Sequence, residues 1–186
     1  MKIFSFTLLF ILSMMSGYAE NTVKVLFSPD NNVAFSAYEA GGLLKYKISY
    51  KGKPVILESQ LGIDGWSQNL EIERIDSLSV NKTWHPVYGE RAVVEDCYKE
   101  YSYTLKIKGR GSRLALIVRA YNSGIGFRYK YLGSSYLRIS KEETTFVVPE
   151  NTYCWFAPFA QAEHKRMLVK DWPGEAERPL TLQLEN

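Results

Sequence analysis

Residues 101–108 read Tyr-Ser-Tyr-Thr-Leu-Lys-Ile-Lys, with Tyr101, Tyr103, Leu105 and Ile107 alternating against Ser102, Thr104, Lys106 and Lys108. Successive side chains of a strand point to opposite faces, so this period of two predicts a β-strand with one dry and one wet side. A helix would scatter the same apolar residues around its circumference. The segment needs neighbouring strands, and a second layer to bury its apolar side.

Other stretches supply them. Val23 to Ser28 reads as extended, and Pro29-Asp30-Asn31-Asn32 as a turn, because proline presets φ and Asx residues tolerate the left-handed region. Val33, Phe35 and Ala37 share a face of the next strand. Gly41-Gly42 marks a tight hairpin. Leu44, Tyr46, Ile48 and Tyr50 line one face of a third strand, turned by Lys51-Gly52-Lys53-Pro54. Leu114 to Val118 is continuously apolar and is expected in the middle of a sheet. After a turn at Asn122-Ser123-Gly124, the next strand sets Phe127, Tyr129 and Tyr131 on one side. The best helical candidate, Ala160 to Val169, is short. Leu180, Leu182 and Leu184 alternate with polar residues near the end of the chain. The fold class is all-β, an antiparallel sandwich. The last strand stops at Glu185-Asn186, and a fragment with its next strand missing is expected.

Met1-Lys2, the apolar run Ile3 to Met15 and the small residue Ala19 have the layout of a secretory signal peptide over residues 1–19, leaving a domain over 20–186. The run is shorter than the ~20 apolar residues of a spanning helix. An exported chain is expected, periplasmic or secreted, with no membrane contact after cleavage. The chain has 23 basic and 20 acidic residues, so losing Lys2 lowers the excess from +3 to +2. That balance carries no electrostatic footprint for nucleic acid. Cys97 and Cys154 could pair in an oxidising compartment, but sequence does not say whether their backbones approach. There is no CxxC and no His/Cys cluster to hold zinc.

Signals for chemistry are sparse. Glu71 and Glu73 would lie ~6.6 Å apart on one strand face, within the spacing of glycosidase carboxylates, roughly 5–9.5 Å. Charged residues alternating with Ile72 are also what any solvated strand face shows, and that plainer reading is preferred. Two stretches stand out. One is "KTWHPVYGER", residues 82–91. The other is "YCWFAPFAQAEHKRM", residues 153–167, where four aromatics precede Gln161, Glu163 and His164. Rings beside a carboxylate and an amide suit a sugar site, and Trp84 and Trp155 are the candidate substrate-binding residues. The plain alternative for each stretch is a packed corner of the sandwich. Asn81-Lys82-Thr83 fits a glycosylation sequon, with meaning only in a eukaryotic secretory route.

"TWHPVYGER", "YNSGIGFRY" and "YCWFAPF" followed by Glu163, in this order, resemble glycoside hydrolase family 97. "FSPDNNVAFSAY" and "LLKYKISYKGKPVILESQLGI" are similar to that family's opening hairpins. The resemblance covers essentially the whole chain after the leader. It implies an N-terminal β-super-sandwich (galactose mutarotase-like) from an exported bacterial α-glucosidase or α-galactosidase. The catalytic carboxylates of such enzymes belong to a (β/α)8 barrel absent from this chain, so no catalytic residue is assigned here. The carbohydrate substrate would be met through that barrel. The resemblance further implies a Ca²⁺ ion held mostly by barrel glutamates, with Glu163 as the N-terminal domain's ligand. It makes Trp84, Tyr88, Glu90 and Arg91 a structural turn facing the barrel, with Glu90 and Arg91 paired. The alternative is a free-standing carbohydrate-binding sandwich using exposed Trp155, Phe156, Trp66 or Trp172. A third reading is a truncation product whose leucine-rich last strand presents an unpaired edge.

Overall fold

The computed structural model describes residues 23–185, so the expected signal peptide lies outside the described residues. Among the described residues eleven strands form three antiparallel sheets. The first has the order β1 (Val25–Phe27), β2 (Val33–Ala40), β3 (Leu43–Tyr50), β4 (Lys53–Leu61). The second has the order β5 (Leu70–Trp84), β6 (Val94–Ile107), β7 (Arg113–Tyr121), β8 (Gly124–Tyr131). The third centres β9 (Tyr153–Phe156) between β10 (Lys165–Leu168) and β11 (Thr181–Gln183). Among the described residues no helix is long and apolar enough to cross a membrane.

Local chemistry makes the hairpins. Ala40 pairs with Leu43, which leaves Gly41 and Gly42 as the whole loop, at φ 62° and 78°. Positive φ at both central residues twists the turn in the hand of the flanking strands. A side chain at position 42 would also sit 3.1 Å from the Asn69 backbone nitrogen. The next loop is shorter than expected. Lys51 and Gly52 close it alone, and Pro54 lies within β4 opposite Ser49.

The expected faces hold through most of the sandwich. Phe35, Tyr46, Tyr103, Leu116 and Val118 are fully buried in one apolar cluster drawn from both large sheets. Phe35 stacks on Tyr46 at 5.9 Å and meets Tyr103 edge-on at 6.5 Å, joining β2 and β3 to β6. Edge-to-face aromatic pairs add to the gain from burial alone. β7 is an inner strand, as its unbroken apolar run predicts. Tyr50 departs from its expected face and is exposed. The register of β3 against β4 shifts between Tyr46 and Ser49, so the alternation does not carry through to the strand end.

Two features join parts distant in sequence. Residues 141–147 run along the free side of β4, with Thr145 N–H donating to the Gln60 carbonyl and Leu57 N–H to the Val147 carbonyl. They satisfy an edge that would otherwise be open. At one end of the sandwich, the Asp30 N–H donates to Asn122 Oδ1 and Lys99 Nζ to the Ser28 carbonyl. The β1–β2 turn is thereby tied to β6 and to the β7–β8 turn.

The short stretch that is the best helical candidate, Ala160 to Val169, is not an α-helix, as suits an all-β chain. Ala160 to His164 is irregular, Lys165–Leu168 is strand β10, and a single 3-10 turn follows at Val169–Asp171. Met167 and Leu182 both lie opposite buried Cys154, and this pairing across β9 overrides local helix preference. The alternating leucines of the last strand are accommodated on one side, where β11 pairs with β9. Cys97 and Cys154 are separate thiols. Cys97 bonds to Asn81 Oδ1, and burial pushes the Cys154 thiol upward from its ordinary value.

Candidate functional site

The 82–91 motif occupies the tip of an arm. β7 pairs with β6 only as far as Lys99–Ala120, whereas β5 and β6 stay paired from Val80–Tyr98 out to Trp84–Val94. The outer part of the hairpin is therefore a two-stranded ribbon, which has little stability of its own in water. It is anchored at its base. Tyr98 packs on Tyr121 at 5.2 Å, and the Arg119 guanidinium lies 4.3 Å from the Tyr98 ring while bonding Glu100 at 2.7 Å. Pro86 lacks the N–H needed to continue the ladder, so pairing ends and residues 85–93 form the tip.

That tip is not a packed corner. Val87 is 98% exposed, Tyr88 89% and Trp84 51%. Glu90 and Arg91 are also exposed and, among the described residues, form no ion pair, contrary to expectation. Three apolar side chains in water at the end of a thin ribbon form a surface suited to a contact.

The second candidate region is the small sheet. Alternation along β9 turns Cys154 and Phe156 inward and leaves Tyr153 and Trp155 half-buried on the opposite face. Arg166 lies opposite Trp155 in β10, and Gln183 opposite Tyr153 in β11. The Arg166 guanidinium sits 3.7 Å from the Tyr153 ring centre and 5.9 Å from that of Trp155, and donates to Gln183 Oε1 at 3.1 Å. Glu163 and His164 are exposed in the connection between β9 and β10. Calcium takes six to eight oxygen ligands. Among the described residues no three His, Cys, Asp or Glu side chains gather into a metal-binding group. Glu163 is thus a single hard donor; these residues do not by themselves make a calcium site.

Of the four rings proposed for free-standing sugar binding, Trp66 is 4% and Phe156 6% exposed. Trp66 closes a tight bridge to Ile63, and Phe156 packs against Trp172 at 6.3 Å. Neither can present a face to a sugar, which corrects that expectation. Trp155 and Trp172 remain partly open.

The Glu71 and Glu73 pair is structural. Glu71 is held by Lys106 at 3.0 Å and Lys108 at 3.3 Å, and Glu73 grips Arg113 through two bonds of 2.7 and 2.9 Å. The register shift between Ile72 and Arg74 makes Glu73 the unpaired residue of a bulge. Hydrogen bonds from Lys106 and from Arg113 hold the respective carboxyls below the usual carboxylate range. A glycosidase general acid needs the opposite shift. The same side chains line a cleft of about 690 Å³ with Ala37, Tyr38 and Glu39, where Glu39 is engaged by the Gly42 N–H at 2.6 Å.

Sequence reasoning did not single out Tyr153 or Arg166, although both lie in the quoted 153–167 stretch. They are thirteen positions apart, and only the β9–β10 register brings them together.

Residues 26–186 match the family described as Glycosyl-hydrolase 97 N-terminal. Among solved structures, the chain is similar to a glycoside hydrolase family 97 enzyme from Pseudoalteromonas sp. strain K8 in complex with acarbose. The TM-score is 0.78 at 26% identity, over 86% of this chain and 26% of that one. A variant of the same enzyme in complex with panose matches with the same values. A β-arabinopyranosidase matches with TM-score 0.68 at 20% identity, over 76% of this chain and 26% of that one, a likeness of fold. The chain thus spans about a quarter of the length of each enzyme it matches. With an all-β antiparallel sandwich beneath that match, the chain belongs to the N-terminal domain family of glycoside hydrolase 97 enzymes.

Proposed function

We propose that this chain is the non-catalytic N-terminal part of an exported α-glycosidase, of α-glucosidase or α-galactosidase type, which supports a catalytic barrel and lends Glu163 to a calcium ion. The observation that carries this reading is the family match over 26–186, in a chain spanning only 26% of a sugar-bound relative. The committed state of the acidic side chains supports it. Glu71, Glu73 and Glu100 are all ion-paired, and the hydrogen bonds from Lys106 to Glu71 and from Arg113 to Glu73 lower those two carboxyls, which keeps them charged and unable to donate a proton. Hydrolysis would then proceed between two carboxylates outside this chain. Trp84, exposed on its arm, and half-buried Trp155 would meet the substrate or the barrel beside it.

In this account Glu163 supplies one oxygen donor and the remaining ligands come from elsewhere. A hard cation favours carboxylate oxygens, and a ligand shared between domains would fasten one to the other. The test is calcium titration of the isolated chain by calorimetry. A lone exposed carboxylate should give no site tighter than about 1 mM, the weak end of the range for protein calcium sites. A micromolar site abolished in Glu163→Gln would mean that the chain builds the whole site itself, and would overturn the shared-ligand reading.

A further inference from the structure

β5 is the longest edge strand of the three sheets. It runs fifteen residues and pairs with β6 on one side, and among the described residues no strand pairs with the other. Proteins blunt such edges by keeping them short, bulged, charged or covered. β1, with three residues, is short, and residues 141–147 cover β4. The start of β5 is blunted by the bulge at Glu73 and by the charges of Glu71, Glu73 and Arg74. Between Asp76 and Lys82 that protection lapses, over the uncharged run Ser-Leu-Ser-Val-Asn. Leu78 is 52% exposed there, and the Asp76 and Lys82 side chains are more than half exposed.

This run is complementary to itself. Laid antiparallel on a second copy with Ser79 opposite Ser79, it sets Leu78 against Val80, Ser77 against Asn81 and Asp76 against Lys82, each twice. Asp76, Leu78, Val80 and Lys82 share one strand face, the face that carries Tyr98 and Glu100 on β6. The ladder would thus hold four apolar side chains at its centre and an ion pair at each end. Charges that only guarded the edge could be of one sign; opposite charges at mirrored positions pair across a two-fold axis. A slip by one residue sets Leu78 against Ser79 or Asn81 and parts both charge pairs. The other charge-matched register, Arg74 against Asp76, is centred on Ile75 and runs through the bulge.

We infer that β5 joins the β5 of a second copy of this chain along residues 76–82, in a two-fold dimer whose axis passes through Ser79. Two four-stranded sheets become one of eight. Little is given up in exchange, because Asp76 and Lys82 now have only surface partners, Arg74 at 2.8 Å and Asp96 at 4.0 Å. Seven residues make an edge of ~24 Å. A single ladder of that length buries less than the ~1,200 Å² of a stable interface, so the dimer is weak and reversible. The pairing stops at Lys82, short of the exposed tip. It goes beyond the scaffold reading and does not rest on it.

Sedimentation velocity of the 186-residue chain, from about 10 µM to about 1 mM, should show a monomer–dimer equilibrium. Asp76→Lys places like charges opposite each other twice and should weaken association about tenfold or more, as should Lys82→Asp. The double swap of both residues restores the two pairs and the parent's net charge, and should recover the parent's affinity. Cysteine cross-linking in a Cys97→Ser background reads the register. Directly opposed residues of antiparallel strands lie about 4.5–5.5 Å apart at Cα, within disulfide range, so Ser79→Cys should give a covalent dimer under mild oxidation. Ser77→Cys, offset from its own copy by four residues or ~14 Å, should not. Positions 76, 77, 79 and 82 are exposed, so the variants are expected to fold, and unchanged far-UV circular dichroism checks it. A chain that stays monomeric at about 1 mM would overturn the inference, as would a dimer indifferent to both charge reversals or a double swap as weak as the single ones. So would cross-linking of Ser77→Cys as readily as Ser79→Cys, which would mark association in another register. None of these failures touches the scaffold reading, which the calcium titration tests separately.

Discussion

Tyr103 and Tyr46 are both fully buried in the same core, but only one has a partner for its hydroxyl. The Tyr46 hydroxyl donates to the Thr145 carbonyl at 2.8 Å, tying β3 to the segment that covers the β4 edge. The Tyr103 hydroxyl lies beside the Ala37 backbone and, among the described residues, has no hydrogen-bond partner. Stranding a buried polar group costs about 1–3 kcal/mol, and a made hydrogen bond contributes about 1 kcal/mol net. Tyr103→Phe removes the stranded group and leaves a void the size of one oxygen atom, which forfeits some packing contacts. The net change should lie between neutral and a gain of about 2 kcal/mol. Tyr46→Phe should lose about 1 kcal/mol. For a domain of this size about 1 kcal/mol moves Tm by roughly 2–4 °C, so Tyr46→Phe should melt a few degrees below the parent while Tyr103→Phe matches or exceeds it. Urea melts of both variants measure it. A loss of more than about 1 kcal/mol in Tyr103→Phe would show that the phenol is bonded in solution, and would refute the argument.

Leu116, fully buried on β7 opposite Tyr103 and Tyr129, should cost about 2–5 kcal/mol when cut to alanine, read as a lower urea midpoint. Burial pushes the phenols of Tyr46 and Tyr129 up to about 12. The folded protein therefore keeps protons that the unfolded chain gives up near pH 10. Stability should hold below about pH 10 and fall as pH rises from there toward 12, followed by urea melts across that range. Asp30 is displaced the other way, its carboxyl lowered mainly by the Ser28 hydroxyl and the Asn32 N–H. Its contribution should be complete above the ordinary aspartate range and fade as pH falls through the lowered value, with Asp30→Asn flattening the acid limb of the Tm profile. Trp84→Ala should leave the unfolding free energy from urea melts within about 0.5 kcal/mol of the parent, because the ring is half exposed.

The large sheets were legible because their signals are local. The alternation of 101–108 and the two glycines at 41–42 specify a strand and a turn with no knowledge of anything distant, and both appear as read. The errors fall where distant pairing decides. Lys165–Leu168 has no local strand signature and becomes one because β9 offers an edge nine to fifteen positions back. Residues 141–147 form no named strand, yet they close the side of β4 through bonds that no periodicity announces. The tryptophans show the same limit. Trp66 and Trp84 are equivalent as letters, but a tight bridge to Ile63 buries the first, and a ribbon that outruns its neighbour exposes the second. Tyr153 and Arg166 lie within the 153–167 stretch and Gln183 outside it, and the three meet only through strand register, which no local pattern announces.

The central proposal is that Glu71, Glu73 and Glu100 are committed to ion pairs that hold this sandwich together, and that the chain does no glycoside chemistry by itself. Its most direct measurement is release of nitrophenol from aryl α-glucoside and α-galactoside by the purified 186-residue chain, with and without added calcium. The account predicts no release above the buffer rate under either condition. Release that disappears in Glu71→Gln or Glu73→Gln would contradict it, by showing that carboxylates drawn here as ion-pair partners of Lys106, Lys108 and Arg113 act on substrate.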